Sequence, residues 1–509
     1  MTSAAATVAP QGTVEQDAGQ PSAFTRGIVT AALLMAAFMT QLDGTIANVA
    51  LPHMQASTAA SREQVTWVLT SYLITAAVFT PLSGWLATRY GQKRVMLASV
   101  IGFTVASMLC GVAANFSQLI AFRLLQGMMG AAILPISQAI LLDINPPERH
   151  GSAMAAWGMG AVLGPIVGPV LGGYLTDYFS WRWIFFINLP FGVLASLGLI
   201  FFMREHRTRE RNHLDLTGFA LLAIAVASFQ LMLDRGQTLD WFNSTEIIIE
   251  ATVSGAALYM FIVHTLTSDR PFIKPVLFKD FNYVLGNFYA FILGGLLFGT
   301  MALTPPLLAE LMGYPIKLVG LVSAPRGISI MITMMVTGRL LNYIDSRVLI
   351  GAGLLVSGIS MHYMSGISLD MDSRPIIIAG VVQGIGAGLM FVPVTTTIFT
   401  TLSPELRNEG AATSSLFRGL SGSICISVLH TMTIRNSASV QSRLVETVTP
   451  DNPAMTLRAP DFDFQSVESV MHMNVEVFRQ AMMVSYVNTF WALYVACLVA
   501  IPLTMLLRR

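Results

Sequence analysis

The dominant feature of the sequence is a succession of fourteen apolar runs, each long enough to cross a bilayer as a helix, which takes about 20 residues. Lipid offers no hydrogen-bond partner to the backbone, so runs of this length are predicted to be helices. We therefore predict an all-α integral membrane protein with fourteen transmembrane helices. The runs cover residues 27–51, 65–86, 95–114, 117–142, 152–175, 183–203, 214–233, 247–267, 284–311, 318–341, 348–368, 375–401, 411–433 and 481–507.

Composition excludes several classes of soluble protein. Apolar residues make up 54% of the chain and charged residues 11%, whereas soluble domains carry about 25% charged residues. A net charge of +1 without a basic arm argues against a nucleic-acid partner. The cysteines lie inside apolar runs and the histidines are dispersed, so neither a disulfide framework nor a metal site is predicted. The sequence contains no phosphate-binding loop of the GxxxxGK[ST] type and no nucleophile elbow, so we predict neither an enzyme nor a cofactor.

The basic residues of the short loops predict the orientation in the membrane. Lysine and arginine concentrate on one side of the fourteen runs, and this side is expected to be cytoplasmic. Both termini then lie in the cytoplasm. Residues 1–25 are polar and lack a signal-peptide pattern, so they are predicted to be a disordered cytoplasmic tail. Residues 434–480 are predicted to be a long outer loop.

An internal repeat predicts the domain organisation. Gln126-Gly127 followed by Pro135 recurs 257 positions later as Gln383-Gly384 followed by Pro393. Two similar halves of six helices with an inserted pair are typical of transporters, and a channel or receptor has less need of paired halves. The predicted parts are an N-terminal six-helix bundle over 26–203, an inserted helix pair with flanking loops over 204–283, and a C-terminal six-helix bundle over 284–509 that includes the loop 434–480.

Charged residues deep inside apolar runs are costly and mark functional positions. Asp43 lies eight residues before the end of the first run and Arg123 six residues after the start of the fourth; at 1.5 Å per residue both are about 10 Å deep. Burial disfavours the charged form of a carboxylate and a nearby arginine favours it, so a carboxylate between these influences can bind and release protons. We predict Asp43 and Arg123 as a proton-coupling pair; the alternative is a static ion pair that joins the two helices.

Two further segments are predicted to act in gating. The fifth run carries glycines at four-residue spacing, which favour close packing, interleaved with prolines, which permit bending. The turn between the second and third runs combines glycines with basic side chains that can meet the carbonyl ends of neighbouring helices; the alternative role of these bases is to set topology. The predicted gating residues are Gly84, Arg89, Gly91, Lys93, Arg94, Gly160, Gly164, Pro165, Gly168, Pro169, Gly172 and Gly173.

Polar and aromatic residues on helices expected to face the centre are candidates for a substrate cavity. Apolar walls with few polar groups suit a pocket that accepts many compounds, while the alternative for each aromatic residue is lipid contact or core packing. The candidates are Gln41, Asn48, Trp67, Tyr72, Gln126, Gln138, Asn287, Phe291 and Phe391. Arg326 is expected to pair with Glu310 across a short turn, and Arg418 to extend toward the cytoplasmic surface.

Several segments carry a family resemblance. Leu42 to Pro52 resembles a first-helix signature, Arg123 to Gly130 a fourth-helix motif, Gly160 to Gly173 a fifth-helix antiporter motif, and Trp181 to Pro190 the entry to the sixth helix. All four are similar to the fourteen-helix drug:proton antiporters of the EmrB/QacA type in the major facilitator superfamily, and the resemblance covers nearly the whole chain. The turn around Leu231 to Phe242 resembles the EmrB-like branch.

The resemblance implies a function and partners. It implies proton-coupled export of hydrophobic or amphipathic compounds across the bacterial inner membrane, driven by the proton gradient without a cofactor. It further implies multidrug efflux within a three-part pump, with a periplasmic adaptor and an outer-membrane channel as partners and the loop 434–480 as a docking surface. One position departs from the family: Thr88 stands where the turn usually carries an aspartate, so the inner gate is expected to depend on Arg89 or Lys93.

Two alternatives remain open. A dedicated exporter of one metabolite, such as a siderophore, fatty acid or toxin, would have the same mechanism and the same sequence features. A membrane sensor that does not transport is the alternative of another class. The internal repeat and the lack of a soluble signalling domain argue against the sensor.

Overall fold

The computed structural model describes residues 22–58, 60–205, 213–449, 452 and 462–507. Over these residues the chain forms helices joined by turns, and no strand is present among them. Residues 1–21 of the predicted tail lie outside the described residues. The first helix begins at Ala23, within the predicted tail, rather than after residue 25. The helices are α1 Ala23–Thr58, α2 Arg62–Phe79, α3 Leu82–Tyr90, α4 Gln92–Val112, α5 Phe116–Gly130, α6 Ile133–Ile144, α7 His150–Tyr178, α8 Trp183–Phe186, α9 Asn188–Phe202, α10 Leu216–Arg235, α11 Thr245–Thr267, α12 Phe281–Pro306, α13 Ile316–Leu340, α14 Ser346–Met364, α15 Ser373–Thr400, α16 Arg407–Thr447 and α17 Val467–Ala500.

The predicted number of membrane spans is confirmed. Thirteen helical segments of the described chain are long and apolar enough to cross a bilayer, and α2 with α3 supplies the fourteenth as a pair bent by 53°. The bend falls at Thr80-Pro81, where proline has no N–H to give to the helix. Each of the fourteen predicted runs corresponds to one of these spans.

The predicted boundaries of the long loop are wrong. Helix α16 continues through residues 434–447 and α17 already begins at Val467. The 41 residues of α16 reach about 60 Å at 1.5 Å per residue, about twice the hydrocarbon thickness of a bilayer. Residues 434–447 and 467–480 therefore form a helical projection, and only the segment between Thr447 and Val467 remains to connect the two helices.

Helices α10 and α11 form a separate pair on the outside of the molecule. They pack against each other, and α10 contacts α2 on one side and α16 on the other. Ser427 on α16 donates to the carbonyl oxygen of Leu233 at 2.9 Å, and Thr70 on α2 donates to the Asp234 carboxylate. The inserted pair thus connects one helix of the first six-helix set with one helix of the second.

The two six-helix sets also contact each other directly. Helix α7 packs lengthwise against α13 and, to a lesser extent, α15, while α3 and α6 pack against α16. The second contact lies at the end of the molecule that holds the turn between α3 and α4. We call this end, where residues 84–94 and 143 meet residues 407–412, the closed end.

Candidate functional site

A fully buried ion pair lies inside the first six-helix set. Asp43 is the only carboxylate on α1, and its side chain is 0% exposed, as is that of Arg123 on α5. The Arg123 Nη1 atom lies 2.6 Å from the Asp43 Oδ2 atom. The structure therefore brings together the two charges that were predicted to pair because they lie at a similar depth in the membrane.

Hydrogen bonds occupy both oxygens of the Asp43 carboxylate. Gln126 Nε2 donates to Asp43 Oδ1 at 2.8 Å, and Asn188 Nδ2 donates to the same atom at 3.0 Å. Asn188 Nδ2 also lies 2.9 Å from Ser107 Oγ. Sequence reasoning missed Asn188, although it is a polar residue within an apolar run and within the sixth-helix segment that carried the family resemblance.

The Arg123 guanidinium is held by the backbone and by aromatic faces. Its Nε donates to the Val68 carbonyl oxygen at 2.9 Å and its Nη1 donates to Gln126 Oε1 at 2.8 Å. Its Cζ atom lies 4.6 Å from the Tyr72 ring centroid and 5.5 Å from that of Phe185, distances at which a cation is attracted to a ring face. Tyr72 and Gln126, both predicted for the substrate cavity, instead surround the ion pair.

The network suits a charged carboxylate. Asp43 accepts from three donor groups, and a charged carboxylate is an acceptor only. The side chains of Asp43 and Arg123 are both fully buried, so the pair lies away from solvent in this conformation.

Helix α7 connects this site to the second six-helix set. Its glycine face packs on α1: a Cβ added at Gly164 would lie 2.5 Å from the Leu42 backbone nitrogen, one residue before Asp43. Gly160, Gly168 and Gly172 also face α1, whereas Gly173 has no atom within 4 Å of such a Cβ. Pro165 and Pro169 lie inside this single continuous helix. Packing explains the glycine spacing, and bending at the two prolines remains a prediction.

The glycine contact gives a matched pair of variants. Gly164→Ala is expected to lower the thermal unfolding midpoint of the purified protein, because the new methyl group overlaps the α1 backbone and such overpacking costs about 1–3 kcal/mol. Gly173→Ala is expected to leave the midpoint unchanged. Melting curves in detergent compare the two. Equal midpoints for both variants would show that α1 and α7 separate without strain.

The closed end holds a second polar cluster, which joins the two six-helix sets. Arg407 Nη1 at the start of α16 lies 2.9 Å from Asp143 Oδ1 near the end of α6. Gln92 Nε2 donates to Asp143 Oδ2 at 2.8 Å and to Asn408 Oδ1 at 2.9 Å. A Cβ at Gly84 would lie 2.9 Å from the Asn408 carbonyl oxygen, so α3 approaches α16 at its backbone.

Lys93 and Arg89, two of the basic residues predicted to act in gating, lie at this end. Lys93 Nζ donates to the carbonyl oxygens of Ile200 and Met203, at 2.9 and 2.5 Å, and so binds the end of α9 within its own set. The Arg89 Cζ atom lies 5.4 Å from the Trp85 ring centroid. Contacts between the two sets at this end are made by Asp143 with Arg407, by Gln92 with Asn408 and by Gly84 with Asn408. The gating role of Arg89 stays a prediction.

The remaining residues of the turn pack within the first set. Gly91 has φ +94°, a conformation that favours glycine, and a Cβ there would overlap the Glu205 carboxylate. Arg94 Nε lies 3.8 Å from Glu205 Oε2. Thr88, in place of the usual acid, donates to the Gly84 carbonyl oxygen at 3.0 Å, a bond inside its own helix.

The other candidates for the substrate cavity lie in different surroundings. Trp67 faces the inserted pair, with its ring centroid 5.9 Å from Arg235 Cζ. Phe391 stacks on Trp157 at 6.1 Å between the two sets. Asn48 is exposed and Gln41 is half-buried on α1. The structure therefore does not gather the predicted set around one cavity.

The last three candidates for the substrate cavity are Gln138, Asn287 and Phe291. Gln138 and Asn287 are buried, and each leaves its side-chain oxygen without a hydrogen-bond partner. The Phe291 carbonyl oxygen accepts from Ser421 Oγ at 2.5 Å.

Two arginines of the second set differ from their predicted contacts. Arg326 donates through Nη2 to the Leu297 carbonyl oxygen at 2.9 Å, and no ion pair joins it to Glu310 in the described part of the chain. The Arg418 Cζ atom lies 5.4 Å from the Trp157 ring centroid, so this arginine packs between the sets instead of extending to the surface.

Comparisons with known proteins were made for the whole chain. The profile of the Major Facilitator Superfamily matches residues 33–425. The Multidrug export protein EmrB of Escherichia coli (strain K12) is 37% identical over 473 residues, covering 91% of this chain and 92% of that protein. The Fatty acid resistance protein FarB of Neisseria gonorrhoeae is 34% identical over 483 residues, covering 94% and 95%. The solved structure of the proton:xylose symporter XylE covers 95% of both chains with a TM-score of 0.61 at 11% identity, a likeness of fold.

Proposed function

Because the chain belongs to the major facilitator superfamily and to its EmrB-like branch, we propose that it exports hydrophobic or amphipathic compounds in exchange for protons. The protein is a multi-pass membrane transporter and not an enzyme. The proposal places it in the bacterial inner membrane with both termini in the cytoplasm. The observation that supports proton exchange is the fully buried Asp43–Arg123 pair, a carboxylate inside the bundle that accepts hydrogen bonds from Gln126 and Asn188.

The proposed cycle follows from the two polar clusters. On the proposed orientation the closed end faces the cytoplasm, so the structure represents a state that is shut on that side. A proton arriving from outside neutralises Asp43, and Arg123 or Gln126 then withdraws from it. Helix α1 moves against the glycine face of α7, which transmits the change to α13. Contacts between Asp143 and Arg407 then break, and the closed end opens to take up cargo.

The proposed function is tested in everted membrane vesicles. An acid-interior pH gradient is established and read by a fluorescent weak base, and candidate substrates are added. Proton antiport predicts that a substrate dissipates part of the gradient in vesicles with the protein and not in vesicles without it. If radiolabelled substrate accumulates with no effect of collapsing the gradient, the proton-coupled mechanism is refuted.

Charge exchange tests the role of the closed end. Asp143→Arg or Arg407→Asp alone is expected to reduce transport in these vesicles about tenfold or more, because like charges then face each other across the interface. The double variant Asp143→Arg/Arg407→Asp restores the attraction and is expected to recover most of the transport. The Gln92 amide can turn its oxygen toward the new arginine. A double variant no better than either single one would argue against a gate at this pair.

The helical projection supports a partner outside the membrane. Four apolar residues on one side of α17 are exposed and stand at helical spacing: Val467, Met471, Val475 and Phe478. Residues of this kind on a surface outside lipid indicate a protein contact. We propose that this stripe binds the periplasmic adaptor of a three-part pump with an outer-membrane channel. Met471→Glu with Val475→Glu is expected to abolish co-purification with a periplasmic adaptor produced in the same cells while leaving transport in vesicles intact.

A dedicated exporter of one metabolite is the second candidate. The similarity to the Fatty acid resistance protein FarB favours this possibility, because that protein's name concerns a single class of compound. The vesicle assay separates the two functions: a response to fatty acids alone indicates a dedicated exporter, and a response to unrelated drugs indicates multidrug efflux.

A further inference from the structure

A cavity opens inside the second six-helix set, away from the Asp43–Arg123 pair. Its volume is about 30 Å³ and it is open on one side, so it has room for the two oxygens of a small polar group. Its lining includes the polar side chains of Thr300, Ser323, Arg326 and Gln383 and the apolar side chains of Val322, Met361, Met364, Ile376 and Phe490. The cavity therefore offers a cation and hydroxyl groups close to side chains that suit a hydrocarbon group.

The internal repeat relates this cavity to the ion-pair site of the first set. The offset of 257 positions aligns Gln126 with Gln383 and Asp43 with Thr300. The geometry is retained: Gln126 Nε2 donates to Asp43 Oδ1 at 2.8 Å, and Gln383 Nε2 donates to Thr300 Oγ1 at 2.8 Å. The second site thus keeps the amide donor and has a neutral hydroxyl in place of the carboxylate.

An arginine is present at the second site as well, supplied by a different helix. Arg123 aligns with Gly380, and a Cβ at Gly380 would lie 3.3 Å from the Arg326 Cβ. Arg326 of α13 therefore lies beside the position that holds the arginine in the first set. The second site has the cation of the first site without its anion.

The donors of the polar wall are only partly used. Arg326 has five N–H groups, and within the described chain Nη2 donates to the Leu297 carbonyl oxygen. Ser323 lies one helical turn earlier on the same side of α13, and its buried Oγ atom has no partner. A carboxylate fits this arrangement because a guanidinium binds it with two parallel hydrogen bonds and the serine hydroxyl supplies a third.

We propose that this cavity binds the carboxylate of an amphipathic anion through Arg326 and Ser323, with the hydrocarbon part of the anion against Met361, Met364 and Phe490. The anion replaces the carboxylate that Asp43 supplies in the first set. That the anion is an exported cargo rests on the proposed function, whereas its binding does not. A free inorganic anion such as chloride is the other source of the same charge.

Binding is measured on the purified full-length protein in detergent, without a membrane or a pH gradient. The protein is kept in sodium gluconate at constant ionic strength, and sodium hexanoate or sodium chloride replaces the gluconate stepwise. A ligand that binds only the folded state stabilises it by RT ln(1 + [L]/Kd), so the thermal unfolding midpoint rises with the logarithm of ligand concentration above Kd. The wild-type midpoint is expected to rise with hexanoate in this way, and Arg326→Gln is expected to abolish this rise.

Two further variants make the test specific. Arg374→Gln removes an exposed arginine at the start of α15, whose side chain is 87% exposed, and is expected to keep the wild-type response. Ser323→Ala keeps the arginine and is expected to raise the half-saturating concentration about tenfold, since hydrogen bonds to charged groups are strong. If Arg326→Gln does not fold, Ser323→Ala takes its place in the comparison.

Each outcome of the binding measurement either supports or overturns the proposed anion site. A response to hexanoate that exceeds the response to chloride and depends on Arg326 supports binding of an organic carboxylate. An equal response to both anions supports an anion site but overturns the assignment to an amphipathic ligand. No hexanoate-dependent rise in the wild type, or the same rise in folded Arg326→Gln, overturns the site. Because no transport is measured, failure of the export proposal leaves this result unaffected.

Discussion

Asp43→Asn is expected to reduce substrate-dependent proton movement in everted vesicles to the level of vesicles without the protein. Asparagine has the size of aspartate and cannot take up a proton at this position. The change leaves the Arg123 guanidinium buried without its anion, which lowers the free energy of unfolding. Arg123 keeps its hydrogen bond to the Val68 carbonyl oxygen and its contacts with the Tyr72 and Phe185 rings. The new N–H₂ group can donate to Asn188 Oδ1, which has no hydrogen-bond partner, once the Asn188 amide rotates. The variant is therefore expected to fold and insert at reduced stability while losing the coupling step.

Asp177→Asn is the matched control for this experiment. Asp177 lies at the end of α7 with its side chain 62% exposed, 3.9 Å from His53 Nε2, so the same chemical change there leaves the buried network intact. Both variants are compared with the wild type at equal amounts in the membrane. Wild-type gradient loss in Asp43→Asn would move proton coupling to another acid and leave the buried pair with a structural role alone.

Arg123→Gln is expected to destabilise the protein more than any other single change considered. It leaves the Asp43 carboxylate buried without a cation, and breaking a buried ion pair in this way costs about 3–5 kcal/mol. It also removes the hydrogen bond to the Val68 carbonyl oxygen and the contact with the Tyr72 ring. We expect a low yield of monodisperse protein and a thermal unfolding midpoint well below that of the wild type.

The double variant Asp43→Asn/Arg123→Gln separates charge from packing. It removes both charges together, so it is expected to recover much of the stability lost in Arg123→Gln while remaining inactive in the vesicle assay. Unfolding midpoints of the four proteins form a double-mutant cycle that gives the interaction energy of the pair. If the double variant is as unstable as Arg123→Gln, the guanidinium acts through its backbone and aromatic contacts and not through Asp43.

The transmembrane spans and the central ion pair could be predicted from the sequence, because both depend on the free energy of transferring side chains from water into lipid. Only long apolar runs are stable as spans in hydrocarbon, and these runs identified all fourteen spans. Charged residues are so rare inside such runs that Asp43 and Arg123 could be predicted as a pair from their similar depth alone. The residues that surround the ion pair were harder to predict from the sequence. Gln126 and Tyr72 were assigned to a cavity and Asn188 was missed, because the rotation of each helix about its axis decides which polar groups meet, and hydropathy does not report it.

The helical projection and the contacts of Arg326 are two other features that the sequence did not predict correctly. Residues 434–447 and 467–480 are too polar for lipid, and hydropathy does not distinguish a polar helix from a loop. Arg326 was paired with Glu310 because the two are close in sequence across a turn. The arginine side chain instead reaches Leu297 on α12, because packing of α12 against α13 decides its direction.

The inserted pair also limits how a lipid-dissolved compound can reach the interior. A transporter of two halves has two lateral seams through which molecules can enter from the membrane. Helix α10 covers the seam between α2 and α16 and is fastened to both by Asp234 and the Leu233 carbonyl oxygen. In the described part of the chain, the opposite seam is closed by direct packing of α7 on α13 and α15. Compounds from the lipid are therefore expected to enter through a single portal, between α7 and α13.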